Sequence, residues 1–285
     1  MAKVAPSYLG PYRLLNVVHS GHSCQLWQAY DGEFDRMVGI KTLLERFRTD
    51  RQQLRYLRTE YLVGKNLHHP CVIGTYGFEL NDGYPYLALE WFSAPNMKQR
   101  IQQGIGEMAP LLPKIVEGAA EALAHFHRMG WIHRDIKPDN FLVADDGSVK
   151  LIDFALAVRP KRGFVKWFAR RSKVQGTRSY MAPEQIRGEA VDERTDLYSF
   201  ACTIFELLSA RPPFTGISTN DLLIKHLKAP PPSMESVSSI ATPELSQLIR
   251  RSMAKDPNTR PKSVDVFLNE FRMIRPFKAA KSTNL

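Results

Sequence analysis

Short β-rich runs separated by turn residues open the chain, and a helical periodicity replaces them after Phe92. Residues 12–18, 25–30 and 37–43 read as strands divided by turn residues such as Asp31-Gly32. Over 51–67 the spacing changes, and Leu54, Leu57, Tyr61, Gly64 and Leu67 fall on one face of a helix. A glycine at mid-helix costs ~1 kcal/mol relative to alanine. Gly64 therefore either permits close packing or is simply tolerated. Two more strands fit 72–79 and 84–92, joined through the hairpin turn Asn81-Asp82-Gly83.

Farther along, Leu112, Ile115, Val116, Ala119, Leu123 and His127 form an amphipathic stripe, and Gly130 follows as a C-terminal stop. Short strands over 141–144 and 149–152 flank the turn Asp145-Asp146-Gly147. A long irregular stretch comes next, then helices over 195–209, 220–227, 243–253 and 263–273. Ala229-Pro230-Pro231-Pro232 reads as a rigid loop, with a partner-binding proline motif as the alternative. The apolar run 197–205, bounded by Asp196 and Glu206, is too short to span a bilayer and reads as a buried helix. Residues 275–285 read as a loose polar tail.

Composition narrows the picture. A chain of 285 residues is long for one hydrophobic core and short for two independent domains, which suits two packed lobes. Cys24, Cys71 and Cys202 are far apart and form no C-x-x-C pair, so reduced thiols are expected. The N-terminus lacks the apolar region of a signal peptide, no transmembrane segment is found, and a cytoplasmic location is expected. Of the net charge of +10, eight positive charges lie between Asp153 and Glu184 with no acidic residue among them. Only +2 belongs to the other residues, which argues against a nucleic-acid-binding surface.

The chemistry concentrates in one string. His133-Arg134-Asp135-Ile136-Lys137-Pro138-Asp139-Asn140 is followed, thirteen residues beyond Asn140, by Asp153-Phe154-Ala155. Gly176-Thr177-Arg178-Ser179-Tyr180 and Met181-Ala182-Pro183-Glu184 come next. In this order and spacing the segments resemble the protein kinase family, from about Tyr12 to Ile274. Lys137 after the aspartate, and Gly-Thr before Ala-Pro-Glu, resemble the Ser/Thr branch. The run from Asp192 to Ser199, with Arg211-Pro212-Pro213-Phe214, is similar to the eukaryotic-type (Hanks-type) serine/threonine kinases of bacteria.

That resemblance implies an α+β, bilobal protein-kinase-like fold. A small antiparallel sheet with one helix would form an N-lobe over 1–92, and a larger, mainly helical C-lobe would fill 93–285. It also implies transfer of the ATP γ-phosphate to protein serine or threonine hydroxyls. Such a transition state spreads negative charge over phosphoryl oxygens, so catalysis is mostly positioning and neutralisation. By resemblance, Asp135 is the catalytic base and Lys137 contacts the γ-phosphoryl group. Asn140 and Asp153 are oxygen ligands for Mg²⁺, with Mn²⁺ as an alternative. Val38-Gly39-Ile40-Lys41 matches the strand carrying the ATP-binding lysine, and Glu60 pairs with Lys41. Leu89 is the gatekeeper and Glu90 to Phe92 the hinge that binds adenine, while Val18, Gly21, Leu26 and Gly39 also surround the nucleotide. Glu184 with Arg260, and Asp196 under the catalytic loop, are implied structural ties; His133 and Phe154 are implied packing residues. His125 and His127 are two apart on a helix and do not face each other, so no zinc site is expected.

Two departures bear on activity. Where the family has G-x-G-x-x-G, this chain reads His19-Ser20-Gly21-His22-Ser23-Cys24, and only the middle glycine remains. Side chains at 19 and 24 could lift the loop from the phosphates, and Cys24 is either a reactive handle or an inert thiol. Ala155 replaces the glycine of Asp-Phe-Gly; because alanine tolerates positive φ poorly, restricted movement of Asp153 and Phe154 is expected. These features keep two alternatives open: a pseudokinase-like ATP-binding scaffold, and a small-molecule phosphotransferase. The retained Lys41, Glu60, Asp135, Asn140 and Asp153 oppose the first, and the Gly-Thr and Ala-Pro-Glu segment opposes the second.

Arg134 before the catalytic aspartate implies pairing with a phosphorylated residue of the activation segment. Ser172 is the first candidate phosphosite, with Thr177 and Ser179 behind it; the bland reading is a solvated basic loop. The same loop carries Phe164, Trp167 and Phe168 and could dock an acidic partner or a membrane surface, although the aromatics also suit folding back onto the lobe. Protein substrates and transient self-association for trans-autophosphorylation complete the expected partners.

Overall fold

The computed structural model describes residues 7–81, 83–104, 106, 108–160 and 176–278. They form two compact units, one of residues 1–93 with 153–155, the other of 94–152 and 156–285.

The first unit is a six-stranded antiparallel sheet with one helix. Strands β1 (Tyr8–Leu9), β2 (Tyr12–Ser20), β3 (Cys24–Asp31) and β4 (Arg36–Leu43) precede helix α1 (Arg51–Gly64), and β5 (Thr75–Asn81) and β6 (Tyr84–Glu90) follow. The order is β1-β2-β3-β4-β6-β5. Period-two alternation divides β4 between the two faces. Val38 and Ile40 join Leu9, Ala29, Tyr86 and Ala88 in one core cluster. Gly39 and Lys41 therefore share the opposite face. A second cluster joins Leu43, Leu87 and Leu89 to Leu57 of α1.

Helix α1 begins where Asp50 Oδ1 accepts the N–H groups of Gln52 and Gln53 at 2.8 and 2.9 Å. It ends at Gly64, three residues short of the expected 67, and the Leu67 N–H turns back to the Gly64 carbonyl. Strand β5 starts at Thr75 rather than 72, because the Val72 N–H is taken by the His69 carbonyl in a turn. The short β1 is absent from the sequence expectation. Its Leu9 is buried in the core, and Gly10 follows at φ 57°, where a Cβ would lie 2.3 Å from the Tyr86 hydroxyl.

The second unit is mainly helical: α2 (Met97–Gln103), α3 (Leu112–Arg128), α4 (Pro183–Arg187), α5 (Glu193–Ser209), α6 (Thr219–Lys228), α7 (Pro243–Ser252) and α8 (Val264–Met273). Strands β7 (Phe141–Val143) and β8 (Val149–Leu151) form an antiparallel pair. Helix α5 is buried almost throughout, and Phe200 on it packs edge-on against Phe267 of α8. It begins two residues before the expected 195 because Asp192 accepts the Arg194 N–H as its cap. Gly130, at φ 78°, ends α3 as its position suggests. No helix of the described residues is long and apolar enough to cross a membrane.

Candidate active site

In the first unit, β4 and α1 bring Lys41 and Glu60 together. Lys41 Nζ donates to Glu60 Oε2 at 2.7 Å and lies 3.5 Å from Asp153 Oδ1. Burial acts against the Lys41 ammonium, but the Asp153 and Glu60 carboxylates outweigh it and raise its pKa. A permanently charged ammonium, held from two sides, suits binding to phosphate oxygens.

Asp153 itself stands at φ 64°, an uncommon conformation for a residue other than glycine. Ala155 is not among the positive-φ residues. The left-handed backbone belongs to Asp153, two residues earlier, and Ala155 offers its N–H to Asp153 Oδ1 at 3.4 Å.

Gly21 occupies a tight hairpin between β2 and β3, its N–H bonded to the Cys24 carbonyl at 2.9 Å. Its φ is not positive, and a Cβ there would make ordinary 3.6 Å contacts. The hairpin itself does not require glycine. His22 packs its ring on Phe47 with centroids 5.3 Å apart, and its carbonyl accepts from Arg46 at 3.2 Å. Cys24 is half-buried, and burial pushes its thiol pKa up, away from reactivity.

Of the remaining expected nucleotide residues, Val18 is exposed, Leu26 and Phe92 are half-buried, and Gly39 and Leu89 are buried. Glu90 is tied to Gly74 twice: its N–H donates to the Gly74 carbonyl at 2.8 Å, and its Oε2 accepts the Gly74 N–H at 2.9 Å.

The second unit carries the other half of the expected set. Asp135 is clamped through both oxygens, Oδ1 accepting the Thr177 N–H at 2.7 Å and Oδ2 accepting Lys137 Nζ at 2.8 Å. Lys137 Nζ also donates to Thr177 Oγ1 at 2.9 Å. Asn140 Nδ2 donates to the Asp135 carbonyl at 2.8 Å, which leaves Oδ1 as its other functional end. Of the candidate phosphosites, Thr177 is thus engaged at Asp135, Ser179 is half-buried, and Ser172 lies outside the described residues.

The backbone before Asp135 is braced from two directions. Arg134 has φ 71°. Asp196, on α5, accepts the N–H groups of His133 at 2.7 Å and Arg134 at 2.8 Å, and its Oδ2 lies 2.8 Å from His127 Nε2. The Arg134 carbonyl accepts from Gln185 Nε2 at 3.0 Å. Gly176, at φ 115°, passes so close that a Cβ would lie 2.9 Å from that carbonyl. Glu184 and Arg260 form a buried ion pair under the same segment.

Three contacts have no counterpart in the sequence reading. Gln185 stands next to the recognised Ala-Pro-Glu, and its position there is the signal it offers. Fully buried Glu206 on α5 accepts from Tyr180 at 2.5 Å and pairs with Lys98 of α2. Asn96 and Gln99, which form a capping box, are the sequence signal for α2. Among the described residues no group of three or more His, Cys, Asp or Glu could hold a metal ion.

The protein kinase domain model matches residues 12–271. A probable serine/threonine-protein kinase of Streptomyces coelicolor is 31% identical over 260 residues, 90% of this chain and 38% of that protein. The serine/threonine-protein kinase PrkC of Bacillus subtilis is 31% identical over 252 residues, 87% of this chain and 38% of that protein. The chain thus spans well under half the length of these two curated relatives. The crystal structure of the Mycobacterium tuberculosis PknI kinase domain superposes with a TM-score of 0.70 at 22% identity, over 96% of this chain and 99% of that one, and shares its bilobal fold. From the match over nearly its whole length, this chain belongs to the protein kinase domain family.

Proposed function

We propose that the chain is a serine/threonine protein kinase domain that transfers the γ-phosphoryl group of ATP to protein hydroxyls, with Asp135 as the base. The observation that carries this reading is the two-oxygen clamp on Asp135 by Lys137 and the Thr177 N–H, at 2.8 and 2.7 Å. A carboxylate held at both oxygens has one orientation, and a cation beside it answers the charge of the phosphoryl group.

In the proposed reaction the substrate oxygen bonds to the γ-phosphorus as the bond from that phosphorus to ADP breaks, and the hydroxyl proton passes to Asp135. Lys137 steadies the charge on the transferred group. Lys41, held by Glu60, binds the α- and β-phosphates. Asp153 and Asn140 offer the hard oxygen donors that Mg²⁺ or Mn²⁺ takes, and the Asn140 amide nitrogen is already committed to the Asp135 carbonyl. Bound there, the cation would neutralise phosphate charge. Residues 1–92 are proposed as the nucleotide-binding lobe, with Leu89 and the 90–92 hinge at the base, and 93–285 as the lobe that supplies Asp135 and docks protein substrate.

Incubation with Mg·ATP and a general protein substrate tests the reading. Phosphoserine or phosphothreonine that vanishes in Asp135→Asn supports it. Nucleotide binding without transfer in the native chain overturns it in favour of an ATP-binding scaffold, the reading that His19 and Cys24 in place of loop glycines favour. The proposal includes autophosphorylation at Ser172 through transient self-association. Mass spectrometry showing no phosphate between Ala155 and Pro183 after incubation with ATP would refute that part.

A further inference from the structure

The tip of the β2–β3 hairpin is fastened sideways to the connection between β4 and α1. The Ser23 carbonyl accepts the Leu44 N–H at 2.8 Å, which extends the β3–β4 ladder one rung past Cys24 and Leu43. Beyond that rung lies His22. Its carbonyl accepts from Arg46 Nη2 at 3.2 Å, and its ring meets the Phe47 ring with centroids 5.3 Å apart. The Arg46 guanidinium lies over the same Phe47 ring, 5.0 Å from its centroid. Cys24 packs, with Phe47, against the core cluster that holds Leu43 and Leu57. Residues 22, 23 and 24 thus each hold a point on 43–47. The far end is itself fixed, since the Phe47 N–H donates to the Leu44 carbonyl at 2.8 Å and the Phe47 carbonyl accepts the Asp50 N–H at 3.0 Å.

His22 is exposed, so no core requires it. A surface imidazole laid on a half-buried phenylalanine restrains the tip without building the fold. Such restraint has a use here. A loop that keeps one glycine of three has little freedom to bend toward phosphate after binding. A loop already ordered loses less entropy when its ligand arrives. We infer that His22 and Phe47 are positioning residues for ATP: their ring contact holds the 19–24 loop in place for the triphosphate before nucleotide binds. The inference rests on the kinase reading for the place of the triphosphate, and on geometry alone for the strap. Direct contact of the His22 imidazole with phosphate is a different role and answers differently to substitution. The ring contact survives in His22→Phe, whereas a phosphate ligand does not.

The test uses the full chain with His22→Ala, His22→Phe, Phe47→Leu and the His22→Ala/Phe47→Leu double variant. Hydrogen exchange of the Gly21 and Leu44 N–H groups, both bonded within the strapped tip, is followed without nucleotide. Affinities for Mg·ATP, Mg·tripolyphosphate and adenosine are titrated, and kcat and KM for transfer are measured. His22→Ala should speed exchange at both amides and weaken Mg·ATP and Mg·tripolyphosphate about three- to tenfold, the worth of one ring contact. Adenosine affinity and melting temperature should stay nearly unchanged, and the loss in turnover should appear in KM for ATP with kcat nearly kept. His22→Phe should keep the native affinities. In the Phe47→Leu background His22→Ala should add nothing further. Unchanged exchange in His22→Ala overturns the strap, as does an equal cost of His22→Ala in both backgrounds. Faster exchange with unchanged affinity for both triphosphates overturns the positioning role. A loss in His22→Phe equal to that in His22→Ala overturns it in favour of a direct imidazole–phosphate contact. Should Phe47→Leu fail to fold, His22→Phe decides: native affinity there supports the strap and its loss overturns it. A native chain that binds ATP without transfer defeats the kinase reading, while the exchange and affinity comparisons still decide the strap.

Discussion

Glu184 and Arg260 form a two-pronged ion pair with both side chains out of water, Nη1 to Oε1 at 2.7 Å and Nη2 to Oε2 at 2.9 Å. The pair anchors the segment that follows Thr177 to the region after α7. Arg260 also donates to the carbonyls of Ala254 and Arg194, both at 2.8 Å. Arg260→Met leaves the Glu184 carboxylate buried without its cation and should cost ~3–5 kcal/mol of stability. Because the two carbonyls also lose their donor, a Glu184→Met/Arg260→Met double variant should remain less stable than the native chain. Urea denaturation midpoints check both statements.

Asp196 is the brace beneath Asp135. Its carboxylate accepts two successive N–H groups, from His133 and Arg134, and Arg134, at φ 71°, immediately precedes Asp135, the proposed base. In Asp196→Asn an NH₂ group faces one of those donors, leaving it unsatisfied at a cost of roughly 1–3 kcal/mol. The first unit is untouched by this change. The expected result is a kcat reduced about 10- to 100-fold with nucleotide affinity nearly unchanged. Loss of nucleotide affinity with kcat preserved would contradict this role for Asp196.

Elements with a long local pattern were legible in the sequence, and those made by distant partners were not. The apolar stripe from Leu112 to His127 became α3, and the runs at 12–18 and 37–43 became β2 and β4. Helix α2 buries only Met97 and Ile101, too few positions for periodicity to register, and α4 is five residues long. Glu206 reads as the polar end of an apolar run because its partner Lys98 lies 108 positions away. Gly64 has two readings in sequence and one in space, once Thr75 and Phe154 stand beside it. Ala155 drew attention as a substituted glycine, yet the positive φ belongs to Asp153. A motif names residue types; it does not carry backbone angles.

His226 of α6 is wholly buried, with Nδ1 3.0 Å from the Tyr198 hydroxyl. Burial, and secondarily the Lys255 ammonium, push its pKa from the ordinary 6.5 down to about 4. Between those values the unfolded chain holds a proton at His226 that the native chain does not. The stability associated with neutral His226 is therefore complete above pH 6.5 and lost as pH falls toward 4. The stability difference between the native chain and His226→Phe should shift against the native chain by about 3 kcal/mol across this window. Lys255→Met removes the opposing charge and should narrow the window. Denaturant titrations at a series of pH values read the effect directly, and a pH-independent difference would contradict it.

Gly39 offers a gain of function. It lies on β4 two positions before Lys41, and a Cβ there would stand 3.5 Å from Leu26 Cδ1, 3.7 Å from the Glu90 carbonyl oxygen and 3.8 Å from Leu89 Cβ. These are ordinary contacts, and Gly39 is not at positive φ, so the backbone accepts alanine. The family pattern at this strand is V-A-I-K, whereas this chain has Val38-Gly39-Ile40-Lys41. Leu26, Leu89 and Glu90 are the residues proposed to surround the nucleotide base, so that wall has room for one methyl group. Filling it should add ~0.8 kcal/mol of apolar contact with the base, tightening ATP binding about three- to fourfold. The same change should stabilise the strand by roughly 0.5–1 kcal/mol, because alanine has less freedom to lose than glycine. Calorimetric titration of native and Gly39→Ala chains with Mg·ATP and with Mg·tripolyphosphate separates the two effects. The expected outcome is a tighter ATP complex with unchanged tripolyphosphate affinity, since only the former presents a base to the new methyl. Weaker ATP binding with the fold intact would mean that the methyl crowds the base, and equal gains for both ligands would move the nucleotide base away from Gly39.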